Sequence, residues 1–395
     1  MNLVVIPFHD LRKCQKEGFR TRDCHFIEHF NRNPDIEKVL IINRPITYME
    51  TIYKKIEWKT RGSVINKGLR YQISEVSDNC FAIDFLAYDI FRNTLKRKSW
   101  FFNAYGSKLF RNIIIKSLNE LDFGNYCCVN FTLYSVDLLL HLQPDVILFD
   151  ALDNWLRIPS YKRLRNKLYA NYERLAGIAD VWTTNSNENK LYFSSEFNLR
   201  ECNVIKNGVD IDKFNKNHAI PKDLKNIDKP IIGIAAKITH LLDVNLLNDI
   251  VEHTDNFRFV LIGQILSRKI YNKLNRKIIY LGDKHYDIYP KYVKNFDICF
   301  IPYVVGEKEH GGDSIKVYEF LAAGKPIIAT NFGGMQLFSD DVFIIKDRDD
   351  FNDALNKIYQ SDRCDITQDL RRITWENRTD KLISLLKKSY ASKKL

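Results

Sequence analysis

At 395 residues the chain is long enough for two or three domains of roughly 150 residues, each with a core of its own. With 45% hydrophobic and 28% charged residues it is an ordinary globular sequence, which excludes a disordered, collagen-like or fibrous chain. A formal net charge of +11 directs it toward anionic partners: nucleic acid, anionic lipid or phosphorylated small molecules.

Short apolar runs alternate with longer helical patterns, the order expected of parallel sheets covered by helices. Leu3 to Pro7 reads as a first buried strand; it is too short for a signal peptide, and basic residues follow rather than precede it. Gly18 to Phe30 reads as a loop entering a helix, and Val39 to Ile42 as a second strand. Residues 91–116 mix Arg92, Lys96, Arg97, Lys98, Lys108, Arg111 and Lys116 with Phe91, Trp100, Phe101, Phe102, Tyr105 and Phe110, without an acidic residue. Such a stretch suits an anionic membrane surface or a solvated helix with a buried aromatic face; Tyr53, Lys54, Lys55 and Trp58 extend it. Asp145 to Phe149 reads as a strand ending in Asp150 and Asp153, and Val181 to Thr184 and Val204 to Ile205 follow. The segment 210–228 is polar and lysine-rich, as a linker between domains is. The pattern then restarts with strands over Pro230 to Ala235, Phe257 to Gly263, Ile278 to Leu281, Ile298 to Pro302 and Pro326 to Ala329. A last helix over 375–391 carries Leu382, Ile383, Leu385 and Leu386 on one face. No apolar run approaches the roughly 18 residues of a transmembrane helix.

The eight cysteines, Cys14, Cys24, Cys80, Cys127, Cys128, Cys202, Cys299 and Cys364, are scattered and form no C-x-x-C pair. That predicts reduced thiols in a cytosol rather than a disulfide framework or a zinc site.

The most informative segment runs from Gly311 to Thr330. A glycine approach, Gly311 and Gly312, leads into a helix that Asp313 or Ser314 can cap, and Gly324 and Pro326 end it before a strand. A helix start with free amides is a ready diphosphate site. Lys316 and Glu319, three apart, share a face, where the lysine can meet a phosphate and the carboxylate can accept from ribose hydroxyls. The same spacing also suits a routine salt bridge on a surface helix.

This segment resembles the donor motif of GT-B glycosyltransferases, in particular the large retaining group 1 family, glycosyltransferase family 4, which includes bacterial polysaccharide and lipopolysaccharide enzymes. The resemblance implies that Glu319 contacts the ribose, with Gly311, Gly312, Asp313, Ser314 and Ile315 around the donor. The family's second acidic residue, eight positions earlier, is replaced here by Gly311. Asn207-Gly208-Val209-Asp210 with Phe214 resembles the family's N-G-V-D-x-x-x-F signature, although Asn-Gly alone is also a plain turn. Thr183-Thr184-Asn185-Ser186, Gly233 to Lys237 and Trp375-Glu376-Asn377-Arg378 match further segments in the same order, with Lys237 in the place of a diphosphate-binding base. Leu241 and Leu242 stand where a second basic residue is usual.

The resemblance implies an α/β GT-B fold: two Rossmann-like domains, 1–210 and 211–374, facing a central cleft, with a helix over about 375–395 returning to the first. In the N-terminal half, Gly18, Arg20, Arg22 and His25 follow the first strand, where GT-B enzymes hold the sugar and acceptor, and the arginines suit an anionic group. Asp150 and Asp153 stand where many relatives carry a histidine; they can orient sugar hydroxyls or take the acceptor's proton, while Asp153 can equally be a helix cap. The D-x-x-D-x-W stretch resembles teichuronic acid and exopolysaccharide transferases.

The expected reaction moves a sugar, with retention, from a nucleoside diphosphate sugar, UDP-linked by family frequency, to a glycan or lipid-linked acceptor in surface polysaccharide synthesis. Lys316 and Lys237 stabilise the leaving diphosphate. No metal and no cofactor are expected, and Asp210-Ile211-Asp212 is discounted as a metal motif. The setting is cytoplasmic, with contact at an anionic inner membrane face, and no nucleic-acid partner is expected because no binding motif accompanies the charge. A sugar-nucleotide epimerase and a non-catalytic relative acting in assembly remain alternatives.

Overall fold

The computed structural model describes residues 1–53, 55–89, 97–306, 312–360 and 369–394. The chain divides into two compact units, Met1–Ile205 with Thr379–Leu395, and Lys206–Arg378.

The first unit is built on β1 (Asn2–Ile6), β2 (Lys38–Ile42), β3 (Ile46–Thr47), β4 (Ser63–Lys67), β5 (Tyr71–Ser77), β6 (Cys80–Ala87), β7 (Tyr126–Asn130), β8 (Val146–Ala151), β9 (Val181–Thr184) and β10 (Asn203–Val204). The sheet order is β10-β9-β8-β7-β1-β2-β6-β5-β4, with β3 on β6. Pairing is parallel from β10 to β6, and β4, β5 and β6 form an antiparallel edge. Leu3 to Ile6 and Val39 to Ile42 are fully or almost fully buried, as in parallel strands covered on both faces. β1 stops at Ile6 because Pro7 has no N–H to continue the ladder. The chain lays down β1, β2 and β6 in one direction, then returns to β7 on the other side of β1 and runs to β10. The sheet's topological switch therefore lies between β1 and β7.

The second unit repeats the plan with β11 (Ile231–Ala235), β12 (Arg258–Ile262), β13 (Ile279–Tyr280), β14 (Ile298–Ile301), β15 (Ile327–Thr330) and β16 (Val342–Ile345), all parallel in the order β13-β12-β11-β14-β15-β16. Its switch lies between β11 and β14. The helix Trp375–Lys394 starts in this unit and contributes Thr379 onward to the first, where Asn33 donates to Asp380 and Lys387 pairs with Asp35.

One expectation changes, and one pair of alternatives narrows. Cys14 and Cys24 are joined in a disulfide, while Cys80, Cys127, Cys128, Cys202 and Cys299 are free and buried. The helices Leu11–Glu17 and Arg22–Phe30 fold back on each other at Gly18, which has φ 82°, and bring the two Cα atoms to 5.8 Å, inside the range a disulfide spans. Cys364 lies outside the described residues. In the basic-aromatic stretch, Trp100, Phe102, Tyr105 and Phe110 are buried in the core, so its aromatic face serves packing; Phe91, Arg92 and Lys96 lie outside the described residues. Among the described residues no helix is long and apolar enough to cross a membrane.

Candidate functional site

In doubly wound sheets ligands collect beyond the carboxyl ends of the strands at the switch point. In the second unit Lys237 lies two residues beyond β11 and is exposed, and Tyr303 lies two residues beyond β14. The helix Ile315–Ala322 follows the β14 loop. Ser314 occupies its N-cap but makes no side-chain cap bond. Asp313, the other expected cap, instead accepts from the Asn207 backbone N–H at 2.7 Å and from the Tyr318 hydroxyl at 2.9 Å. Gly312 is held close to Gly333, where a Cβ would lie 2.4 Å from the Gly312 carbonyl oxygen. Ile315 is the first helical residue, and Gly311 lies outside the described residues.

Glu319 is fully buried. Its Oε2 accepts from the Tyr289 hydroxyl at 3.0 Å and from Lys316 Nζ at 2.9 Å. Its Oε1 is buried with no hydrogen-bond partner among the described residues. A buried acceptor left unmatched costs about 1–3 kcal/mol. Lys316 Nζ lies 4.3 Å from the Tyr289 ring centroid, and its side chain stays about a quarter exposed, at 26%. Burial, reinforced by Glu319, pushes the Tyr289 hydroxyl well above its usual pKa and keeps it a donor.

Tyr289 has its own support. Phe214 packs edge-on against it at 5.7 Å and against Tyr286 at 6.1 Å. The segment Asn207-Gly208-Val209 is bonded to the chain before the C-terminal helix: Val209 N–H donates to Ile373 O at 3.0 Å, and Trp375 N–H donates to Val209 O at 3.2 Å. A Cβ at Gly208 would lie 2.8 Å from the Trp375 nitrogen, so only glycine fits there. The N-G-V-D-x-x-x-F pattern is thus a packing unit, with Phe214 behind Tyr289 and Tyr289 behind Glu319.

In the first unit Asp150, at the end of β8, is fully buried and takes a two-pronged contact from Arg22, Nε to Oδ1 at 3.1 Å and Nη2 to Oδ2 at 2.8 Å. The Thr183 hydroxyl adds a third bond at 2.8 Å. Arg22 was expected to receive an external anion and Asp150 to serve the sugar or the proton; the fold pairs them with each other instead. Arg20 donates to Glu17 at 2.8 Å, Gly18 closes the preceding helix, and His25 is buried within the next one. Asp153 is partly exposed and precedes a turn, not a helix, so it is no cap. Trp155 of the same stretch is buried and packs on Phe8 at 4.9 Å.

The residues that the sequence reading missed are His9 and Asp23. His9 follows β1, its Nδ1 lies 2.9 Å from Asp23 Oδ1, and its backbone N–H donates to Oδ2 at 2.6 Å. Burial raises the Asp23 pKa, but the His9 ring and N–H and the Thr21 hydroxyl outweigh it and hold the carboxyl at about 2. A depressed carboxyl stabilises the fold above its unfolded pKa near 3.8 and loses that contribution as pH falls toward 2. The contribution is about 2 kcal/mol. Acid unfolding between pH 4 and pH 2 is therefore expected to be shallower in Asp23→Asn; an unchanged pH slope of the unfolding free energy counts against the pairing.

A family model matches part of the second unit. The model of the family described as "Glycosyl transferases group 1" matches residues 236–361, which contain Lys237, Lys316 and Glu319. Those residues form a group 1 glycosyl transferase domain. A protein of Bacillus subtilis (strain 168), provisionally named the teichuronic acid biosynthesis glycosyltransferase TuaH, is 25% identical over 263 residues, 61% of this chain. The match spans 65% of TuaH, just under two thirds of its length. Among solved structures, the sucrose-phosphate synthase of Thermosynechococcus elongatus has a TM-score of 0.66 at 13% identity, over 99% of this chain and 100% of its own. HepE of Anabaena, in complex with UDP and glucose, has a TM-score of 0.64 at 13% identity, over 98% and 99%. The alpha,alpha-trehalose 6-phosphate synthase of Burkholderia multivorans has a TM-score of 0.68 at 11% identity, over 99% of both chains. The fold that carries the group 1 domain is GT-B.

Proposed function

We propose that the chain transfers a sugar from a UDP-sugar to a hydroxyl of a glycan or lipid-linked glycan in bacterial surface polysaccharide synthesis, with retention at the anomeric carbon. The observation that carries the reading is the unmatched, buried Oε1 of Glu319 beside Lys316, inside the group 1 domain. A carboxylate so placed can accept from a ribose hydroxyl, while Lys316 and Lys237 face the diphosphate and lower the barrier to its departure. UDP in HepE and the teichuronic acid role given to TuaH support the donor and the pathway class. No resident metal is part of the proposal, because two lysines and a helix start supply positive charge.

The acceptor side and setting are part of the same proposal. The setting in this proposal is cytoplasmic: five described cysteines are free and buried, although the Cys14–Cys24 disulfide does not itself speak for a reducing compartment. Contact with an anionic membrane is part of the proposal, and exposed apolar and basic residues between 52 and 70 support it. Ile52, Tyr53, Val64, Ile65 and Leu69 are exposed, Arg70 stacks on Tyr88 at 4.5 Å, and Lys55, Lys59 and Lys67 bring charge.

A thermal-shift screen against UDP, GDP, CDP, ADP and their common sugars, with and without EDTA, tests the donor. A ligand that binds only the folded protein raises the melting temperature by mass action. The expected result is a rise with UDP and one UDP-sugar that EDTA leaves unchanged. No rise with any nucleotide at millimolar concentration removes the transferase reading, and a rise abolished by EDTA removes the metal-free one. Proton NMR of the product's anomeric signal decides retention.

A further inference from the structure

The first unit carries a cavity at the amino ends of β1, β2 and β7, away from the carboxyl ends where ligands of such sheets usually collect. Its volume is about 470 Å³, within the span of about 300–1,000 Å³ usual for small-molecule sites. Asn2 opens β1, Lys38 opens β2 and Tyr126 opens β7, and Tyr390 of the C-terminal helix joins them on the wall. A second cavity of about 380 Å³ shares Asp122, Phe123, Gly124 and Tyr126 with the first. The turn before β7 is thus a common wall, and the two cavities make one groove.

That turn is fixed from behind and open in front. Asp122 and Gly124 both have left-handed backbone, φ 50° and 51°, and Phe123 between them is fully buried in the core. Lys38 Nζ donates to the Leu121 carbonyl at 2.9 Å and to the Asp122 carbonyl at 3.0 Å, and Asn2 Nδ2 donates to the Phe123 carbonyl. A Cβ at Gly124 would meet nothing within 4 Å. The side chains of Asp122 and Asn125 are exposed and bond to no described residue. Asn2 Oδ1 is buried and has no partner among the described residues.

The chemistry of this wall selects a class of ligand. Lys38 is engaged by two carbonyls and Glu37 by the Met1 ammonium, so Asp122 is the open charge among the described wall residues. That carboxylate repels anions. With Asn2 Oδ1 it offers acceptors, Asn125 offers an amide that both donates and accepts, and Tyr126 and Tyr390 offer rings. Saccharides fit such a set: their hydroxyls bond to carboxylate and amide groups, and their C–H faces lie on aromatic rings.

We propose that this groove is a saccharide-binding site that takes two or more rings of a neutral glycan chain. That the chain is the enzyme's own glycan rests on the transferase reading above. The groove holds the glycan and takes no part in the transfer, since Lys237, Lys316 and Glu319 all belong to the other unit.

Titration calorimetry on the full chain tests it, with maltotetraose, cellotetraose, tetra-N-acetylchitotetraose, glucose and UDP as separate titrants. At least one tetrasaccharide is expected to bind with a Kd of about 1 mM or tighter, and glucose at least about tenfold more weakly. Asn125→Trp, a bulky side chain at an exposed turn position, and Tyr390→Ala are each expected to weaken that tetrasaccharide by about tenfold or more, with UDP affinity within about twofold of the parent. Thermal unfolding checks that both variants are folded; should the partly buried Tyr390→Ala fail to fold, Asn125→Trp carries the test. No binding of any tetrasaccharide at millimolar concentration overturns the proposal, as does binding that Asn125→Trp leaves unchanged or that glucose matches. UDP binding without saccharide binding overturns this inference alone, whereas groove-dependent saccharide binding without any nucleotide binding upholds the site and overturns the transferase reading.

Discussion

Glu319→Ala is expected to weaken UDP binding by about 10–150-fold, the equivalent of the roughly 1.5–3 kcal/mol that hydrogen bonds to a charged group contribute. The loss is specific to this carboxylate because nothing among the described residues already occupies Oε1, and its other oxygen is fixed by Tyr289 and Lys316. The substitution also leaves the Tyr289 hydroxyl buried without its acceptor, at a further cost of about 1–3 kcal/mol in stability. The two effects separate in the double variant. Adding Tyr289→Phe removes the orphaned hydroxyl, so the melting temperature recovers while nucleotide affinity does not. Titration calorimetry with UDP, alongside thermal unfolding of each variant, reads both quantities. UDP affinity in Glu319→Ala within twofold of the parent would remove Glu319 from the donor site.

Arg22→Ala is expected to be the most damaging single change in the first unit. Asp150 is then a fully buried carboxylate holding, among the described residues, only the Thr183 hydroxyl. Breaking a buried pair from one side costs about 3–5 kcal/mol, which for a unit of this size corresponds to roughly 6–20 °C in melting temperature. Replacing both partners with apolar residues, Arg22→Met with Asp150→Leu, is expected to cost much less, because no charge remains in the interior. A double-mutant cycle measured by chemical unfolding gives the coupling directly. A fall of less than 2 °C in Arg22→Ala would show that water or another residue replaces the guanidinium.

The strands of both sheets were legible where burial on both faces made the apolar runs continuous, as in Leu3 to Ile6 and Ile231 to Ala235. The antiparallel edge was not, because half of its side chains face solvent: Ser63 to Asn66 alternate poorly and are mostly exposed. β7 was missed since its centre is Cys127-Cys128, small thiols that do not announce a strand. Glu319 and Lys316 could be picked out because one helix turn sets their distance. Tyr289, which fixes Glu319, lies thirty residues away on another helix, a separation no spacing rule covers. Arg22 and Asp150 were each found but given outward roles, since 128 residues separate them and only the sheet brings them together. His9 and Asp23 escaped for a related reason: their meeting depends on the reversal at Gly18 that also joins Cys14 to Cys24.

The second unit is an insertion within the first, and this sets an order of manufacture. On the ribosome, residues 206–378 are all made before Thr379 emerges, so the first unit waits for its closing helix while its neighbour is completed. At about 5–20 residues per second the wait is roughly 10–35 s. Leu382, Ile383 and Leu386, fully or almost fully buried in the finished protein, are missing from the nascent first unit throughout that interval. The unit begun first is therefore completed only after its neighbour, and its apolar strip stays unfilled during that window.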